Sequence, residues 1–370
     1  MKRDPRVLEV VLTGGPGAGK SSCVPYLRDR LAELGCQVIL CPEPATHVFQ
    51  MGVDIADAQK DAAGRAAFTI QLLRLHAVMR ERCQDLARSL YPDQRCVIIH
   101  DRAECDSAGY LNWEDFLNLL PESELDLYAA RDSYDAVIHM VSPASRYPEL
   151  YTTTNNQARH ETVDEAEFRD QCIQQAWMGH PYLILVPPQI NFQAKLNQVT
   201  EIMSEIVTTK LRPRHKRIFK IKDGAPALRR YSSKAFTIVQ THLPSDGNKQ
   251  LRITRRTGDG QTVHYLTERY LDVDETILER EVVITPTEFL RYHMRSSNRE
   301  ADVIKTRHCL IWFNHQIELD AYQTPSGLWM AEVETIGLDD AEPLLPPELE
   351  VLEEVVDHAH HERMTWNAAA

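Results

Sequence analysis

Residues 12–22 read LTGGPGAGKSS, and their types and spacing suit them to holding the phosphates of a nucleoside triphosphate. Gly14, Gly19, Lys20 and Ser21 fit GxxxxGK[ST], with Gly15, Gly17, Ala18 and Ser22 completing the run. Glycines let backbone N–H groups wrap phosphate oxygens, and a helix N-terminus behind them adds partial positive charge. Lys20 is placed to reach the terminal phosphates and Ser21 to offer its hydroxyl to Mg²⁺.

Other residues could complete such a site. Asp101 ends the apolar run CVIIH and is expected to orient Mg²⁺ or its water shell opposite the loop. Arg102 and Asp106, in DRAECDSAGY, either shape the same mouth or cap and pair locally. In ARHETVDEAEFRD, Arg159 could swing over the phosphates and supply positive charge in the transition state. Glu161 and Asp170 belong either to that site or to the surface of an amphipathic helix, and His180 either joins them or caps. A long helix after Glu43 makes Glu43, His47 and Arg65 candidates for lining an acceptor pocket, as in a small-molecule kinase. Asp101, Arg159 and Glu43 are thus the catalytic candidates. An NKxD element for reading guanine is missing, which does not by itself select adenine, so GTP and ATP both stay open.

These residues need elements to hold them. VLEVVLTG, CQVILCPEP, RCVIIHDR, YDAVIHMV and PYLILVPP read as strands alternating with helices, which means a mostly parallel sheet covered on both faces. After LRPRH, alternating strands dominate: RIFKIK, AFTIVQTHL, KQLRITRRTG, QTVHYLTERYL, TILEREVVI, HCLIWFNHQIELDAYQ and LWMAEVETIG. TPTEFLRYHM is a short helical piece, and a C-terminal helix is expected from Pro347. The expected domains are 1–210 and 211–370.

Composition limits the classes. A net charge of -13 argues against a dedicated nucleic-acid binder, although LRPRHKRIFKIKDGAPALRRYSSK is basic with one acid and suits an anionic partner. No apolar run is long enough to span a bilayer. The eight cysteines form no CxxC pair and read as buried thiols of a reducing, cytoplasmic compartment. The N-terminus reads as a first strand rather than a signal peptide.

In the second half, charges recur at strand period. Glu279 and Glu281 share a face, as do Glu318 and Asp320, Glu332 and Glu334, Arg214 and Lys216, and Lys305 and Arg307. Arg252 and Arg269 add charge from two further strands. Apolar outward positions favour a barrel with its charged face inward. Such a lumen could hold a polyphosphate or a phosphorylated headgroup, or bind metal through carboxylates.

RIFKI, KQLRITRR, HYLTERY, LEREV, IKTR, IELDAY and AEVE make residues 212–345 resemble the CYTH or triphosphate-tunnel superfamily. That resemblance implies an α+β domain with a closed antiparallel eight-stranded tunnel, in which basic residues grip a triphosphate and carboxylates hold divalent metal. The family's opening strand carries ExExK, whereas this chain has Arg214-His215-Lys216-Arg217-Ile218, a change that suits holding an anion without cutting it. LTGGPGAGKSS, CPEPAT, IIHDRAECDSAGYL and NNQARHETVDEAEFRDQCIQQAWMGHP make the first domain resemble the NadR-like P-loop ATPases. Together the two resemble the TRPL translocation defect family over residues 8–345.

The resemblance implies GTP bound in the first domain, phosphatidylinositol phosphates bound by the protein, and a role in trafficking a membrane channel. Candidates for gripping headgroup phosphates are Arg214, Lys216, Arg217, Lys220, Lys222, Arg252, Arg255, Arg256, Arg269, Lys305 and Arg307. The leading expectation is a nucleotide-regulated, phosphoinositide-binding adaptor, peripheral to membranes and serving a membrane-protein cargo. A small-molecule or nucleoside kinase is the alternative, and a tunnel-domain triphosphatase the third.

Overall fold

Apolar strands lacking in/out alternation must be buried on both faces, and the first of them lead into the phosphate loop. The structure is a computed structural model describing residues 4, 6–151, 161–208, 212–213, 216–244, 249–271, 277–295, 302–334 and 344–355. It divides into two units, residues 1–208 and 209–370.

In the first unit β1 (Val7–Thr13) runs through the phosphate loop into α1 (Lys20–Glu33), followed by β2 (Cys36–Cys41), α2 (Pro44–Gln50), α3 (Ile55–Gln59) and α4 (Ala62–Leu90). Then come β3 (Arg95–Asp101), α5 (Trp113–Ser123), α6 (Leu127–Asp132), β4 (Ala136–Met140), α7 (Val163–Trp177), β5 (Leu183–Val186) and α8 (Phe192–Thr208). The strands form a parallel sheet in the order β2-β3-β1-β4-β5. β1 is therefore central, and its register with β3 sets Leu12 opposite Asp101. Val11, Val137 and Leu183 pack from the sheet against Leu73, Phe116, Ile173 and Trp177 in one apolar core.

One charged residue interrupts β1. Glu9 is buried and accepts from Arg80 Nε at 2.8 Å, Arg80 Nη2 at 3.0 Å and Gln84 Nε2 at 2.8 Å, with His100 Nε2 at 3.1 Å. Arg80 also stacks 3.8 Å over the Tyr134 ring, so this cluster fastens α4 to the sheet.

The second unit contains β6 (Arg212–Pro213), β7 (Lys216–Ile221), α9 (Ala225–Leu228), β8 (Ser233–Leu243), β9 (Lys249–Gly258), β10 (Gln261–Leu271) and β11 (Ile277–Ile284). It continues with α10 (Pro286–Arg295), β12 (Val303–Trp312), β13 (His315–Thr324), β14 (Trp329–Glu334) and β15 (Val351–Glu354). These strands form one large antiparallel sheet in the order β15-β7-β14-β13-β12-β8-β9-β10-β11-β6. β6 pairs with β11 and β7 with β14, near opposite ends of that order, yet only three Cα steps separate Pro213 from Lys216. Those steps span at most about 11 Å, so the sheet must curl round on itself.

Two expectations of local structure are corrected. HCLIWFNHQIELDAYQ is not one strand, because the chain reverses at Phe313 and Asn314, where Phe313 takes a left-handed φ of 48°. The helix expected from Pro347 is instead β15, paired with the outer edge of β7. Strand pairing overrides the helix-favouring glutamates there, and two of them meet β7-side cations: Glu350 with Lys222 at 2.8 Å and Glu354 with Arg217 at 2.6 Å.

Replacing Arg80 by Met should destabilise the first unit by about 3–5 kcal/mol, because it strands a buried carboxylate. Burial alone would raise the Glu9 carboxyl, but Arg80 and His100 hold it well below its ordinary value of 4.5. This contribution is therefore fully present above pH 4.5 and is lost progressively as pH falls from there toward the much lower folded value. Urea midpoints of wild type and Arg80→Met, followed from pH 7 downward past pH 3, check both the size and the sign.

Candidate functional site

The loop between β1 and α1 is shaped by backbone angles that side chains resist. Gly14 has φ 139°, and a Cβ on it would lie 2.2 Å from the Met140 carbonyl oxygen. Gly19 has φ 93°, and its missing Cβ leaves room for the Phe192 ring. Lys20 is buried and donates to Gly14 O at 2.7 Å and Gly15 O at 3.1 Å. Burial, with Arg102 nearby, brings its ammonium down to about 8, against the pull of Asp101, Asp106 and Glu43.

Ser21 Oγ donates to Asp101 Oδ2 at 3.4 Å. A hydroxyl and a carboxylate side by side are hard oxygen donors, and they fit Mg²⁺ with its other positions left to water and phosphate. Burial raises the Asp101 carboxyl, opposed by Lys20 and Arg102.

The loop is also held from behind by residues whose role the sequence does not reveal. Asp170, on α7, accepts from the Gly15 N–H at 2.5 Å, the Ser142 N–H at 3.2 Å and Gln174 Nε2 at 3.0 Å, with His139 Nε2 at 3.1 Å. It is buried, so the surface alternative for Asp170 falls away. Ser142 Oγ donates to Pro16 O at 2.7 Å, and Lys195 Nζ donates to Ala18 O at 3.1 Å and Val141 O at 2.7 Å. Lys195 did leave a signal: it is a cation on the otherwise apolar face of α8, beside Leu196, Val199 and Ile202.

A cavity of about 790 Å³ opens from residues 16–22 and runs to Glu43, Phe49, Arg65, Phe68 and His76. Arg102 Nε meets Glu43 Oε1 at 2.8 Å, and Arg102 Nη1 donates to Gly14 O at 3.2 Å. Asp106 is a support of the wall: it accepts from Trp177 Nε1 at 2.9 Å, the Ala103 N–H at 3.2 Å and the Thr13 hydroxyl. Glu161 pairs with Arg169, and both line the cavity. His47 is absent from the described cavity wall, and His180 Nδ1 accepts from the Tyr182 N–H at 2.9 Å in the turn after α7. Arg159 lies outside the described residues.

In the second unit, Lys305 and Arg307 come together with Glu318, Asp320 and Glu332. Arg307 reaches Glu318 at 2.6 Å, Asp320 at 2.7 Å and Glu332 at 3.2 Å, while Lys305 reaches Asp320 at 2.5 Å. Burial would raise the Asp320 carboxyl, but the two cations hold it below the ordinary range. Arg252 lies 4.0 Å from Glu281, and Arg256 stacks 3.8 Å over Phe236. Arg217 and Lys222 pair with acids of the β15 region, Arg255 is exposed, and Lys220 and Arg269 are half-buried. Arg214 lies outside the described residues, as do the side chains of Lys216, Glu279 and Glu334. Among the described residues no helix is long and apolar enough to cross a membrane. All eight cysteines are thiols, seven of them buried.

Comparison with known proteins agrees with the loop. Residues 9–195 match a family described as an AAA domain, a P-loop NTPase-like domain. None of the curated proteins matches the chain. Among solved structures, the PH1819 protein from Pyrococcus horikoshii OT3 is 17% identical, covers 34% of this chain and 80% of that one, and has a TM-score of 0.27. The conserved hypothetical protein Pfu-838710-001 from Pyrococcus furiosus is 20% identical, with the same coverages and a TM-score of 0.26. The PH1012 protein from Pyrococcus horikoshii OT3 is 14% identical, covers 42% of this chain and 87% of that one, and has a TM-score of 0.24.

The position of Lys20 has a pH consequence. Bound phosphate favours the ammonium, so above about pH 8 the empty loop must recapture a proton on binding. Nucleotide affinity should then fall by up to about tenfold per pH unit. Titrations from pH 7 to 9.5 check this, and Lys20→Arg, which stays charged, should flatten the profile.

Proposed function

The chain belongs to the AAA-domain family, and from that premise we propose that its first unit holds a Mg²⁺-bound nucleoside triphosphate and passes the terminal phosphoryl group to a small acceptor. The observation carrying this is the cavity that joins the phosphate loop to Glu43 and Arg102. Loop N–H groups and Lys20 would hold the phosphates, while Ser21 and Asp101 would hold Mg²⁺, which neutralises charge between the outer phosphates. The protein's part is then positioning and electrostatics. Lys20→Ala should lower turnover by about 10²–10³. Nucleoside diphosphate release, measured over a panel of acceptors, tests the reading; slow release that no acceptor accelerates would count against transfer while leaving nucleotide binding standing.

A second reading concerns the sheet domain. RHKRIF stands where the CYTH strand carries ExExK, and Glu318, Asp320 and Glu332 are already engaged by Arg307. Both features disfavour metal-dependent cleavage in a CYTH-type tunnel, and the exposed Arg255 is left as a cation that an anion could meet. On this reading the protein is a GTP-controlled adaptor that binds phosphoinositide headgroups at a cytoplasmic membrane face and serves a membrane-protein cargo. Binding to phosphoinositide vesicles should be strong at low salt, weaken as salt rises, and drop in a Lys216→Glu, Arg217→Glu double variant. Unchanged binding in that variant would remove the opening strand from the contact.

A further inference from the structure

We infer that the cavity wall formed by α2 and α4 seats a small uncharged compound carrying a flat ring and a hydroxyl, and that this hydroxyl is the phosphoryl acceptor, faced by Glu43. The inference rests on the phosphoryl-transfer reading of the loop and names the acceptor's chemistry.

The wall carries both polar and apolar side chains. Thr69 and His76 are 5% and 8% exposed, and both line the cavity. Two polar side chains on one cavity wall offer a ligand hydrogen-bonding positions that its apolar neighbours do not. Burial lowers the His76 pKa, so the ring is neutral at pH 7 and can both donate and accept. Beside them Phe49 and Phe68 stack with centroids 5.6 Å apart and planes 16° apart, which forms an apolar shelf suited to a flat ring.

The charges nearby are already balanced. Arg102 pairs with Glu43 and Arg169 with Glu161, and Arg65, an exposed cation of this wall, has its own interaction. A charged acceptor would have to break one of these pairs or enter uncompensated, which favours an uncharged one.

The base follows from which carboxylate the cavity reaches. Asp106 is occupied by Trp177, Ala103 and Thr13, Glu161 by Arg169, and Asp101 faces Ser21. Glu43 is also engaged, by Arg102 at Oε1 and by the Thr46 hydroxyl at Oε2 at 3.3 Å. It keeps 34% of its side chain exposed against 15% for Glu161, however, and Arg102 ties it to the loop through Gly14 O. In the step, the acceptor oxygen bonds to the terminal phosphorus as the bond from that phosphorus to its bridging oxygen breaks. The nucleoside diphosphate leaves with that electron pair, and the hydroxyl proton passes to Glu43.

The test uses the full chain with Mg²⁺ and ATP or GTP, following diphosphate release and the mass of the product. The arms are neutral nucleosides and aromatic alcohols, the monophosphates of the same nucleosides, and ringless polyols. Only the first arm should accelerate release, by tenfold or more, with one phosphoryl group gained by the acceptor. Phe68→Ala should raise the acceptor KM about tenfold, whereas Glu43→Gln should lower kcat by about 10²–10⁴ with little change in KM. Nucleotide affinity, read on each variant, separates loss of the acceptor site from loss of the fold. Nucleotide bound with no accelerating acceptor, or acceleration by monophosphates or polyols alone, would overturn the inference. A wild-type chain that binds no nucleotide would remove the loop reading as well.

Discussion

The parallel pairing of β1 with β3 is the constraint on which the first unit's site depends. With Leu12 opposite Asp101, the two strands end together, and Asp101 comes within 3.4 Å of Ser21 on the helix that follows β1. The next residue continues the consequence: the Arg102 N–H donates to Leu12 O at 3.2 Å, and its left-handed φ of 70° accompanies a side chain directed to Gly14 O and Glu43. A one-residue slip would turn Asp101 to the other face and dissolve this set. The cavity therefore follows from strand register before it follows from any catalytic group.

Around that register the loop is kept in shape by groups of both signs. Lys20 and Lys195 satisfy the carbonyls of Gly14, Gly15 and Ala18, while Asp170 satisfies the Gly15 N–H. A loop rich in glycine would otherwise lose conformational freedom on binding, at a cost in affinity. Here α7 and α8 hold it from two sides through side chains far away in sequence. The buried Lys20 also explains why phosphate is needed to favour its charge: two carbonyls compensate an ammonium less well than a triphosphate does.

The parallel sheet and the loop were legible because both are local signals: apolar runs at strand length, and a motif confined to eight positions. Asp101 was legible from its place at a strand end. The supports were not, because Asp170 lies 155 positions from Gly15 and Trp177 lies 71 from Asp106. Spacing along the chain carries no mark of such pairings without the register that creates them. Helices α5 and α6 were missed beside stronger neighbours. The C-terminal glutamates read as helix because propensity is local, whereas β7's outer edge, which turns them into a strand, is more than a hundred residues away. Period-2 charges in the second unit were legible as faces, yet their mutual pairing was not.

That pairing bears on what the second unit can do. Arg307 stands directly opposite Asp320 in the β12–β13 register, and Glu318 opposite Glu332 in the next ladder, so three carboxylates converge on one guanidinium. Two acids facing each other across a ladder repel, and the guanidinium supplies the charge that permits it. A divalent ion entering there would compete with a charge already held by several short hydrogen bonds, and Lys305 would lose its grip on Asp320. An anion entering would have to draw these cations away from their carboxylates, which is costly for buried pairs. Cations nearer the surface, such as Arg255, face a lower penalty because water screens them before and after contact. The physics of the cluster thus leaves its buried charges little freedom to meet either ion and gives them a structural role, joining the neighbouring strands β12, β13 and β14 of the curled sheet.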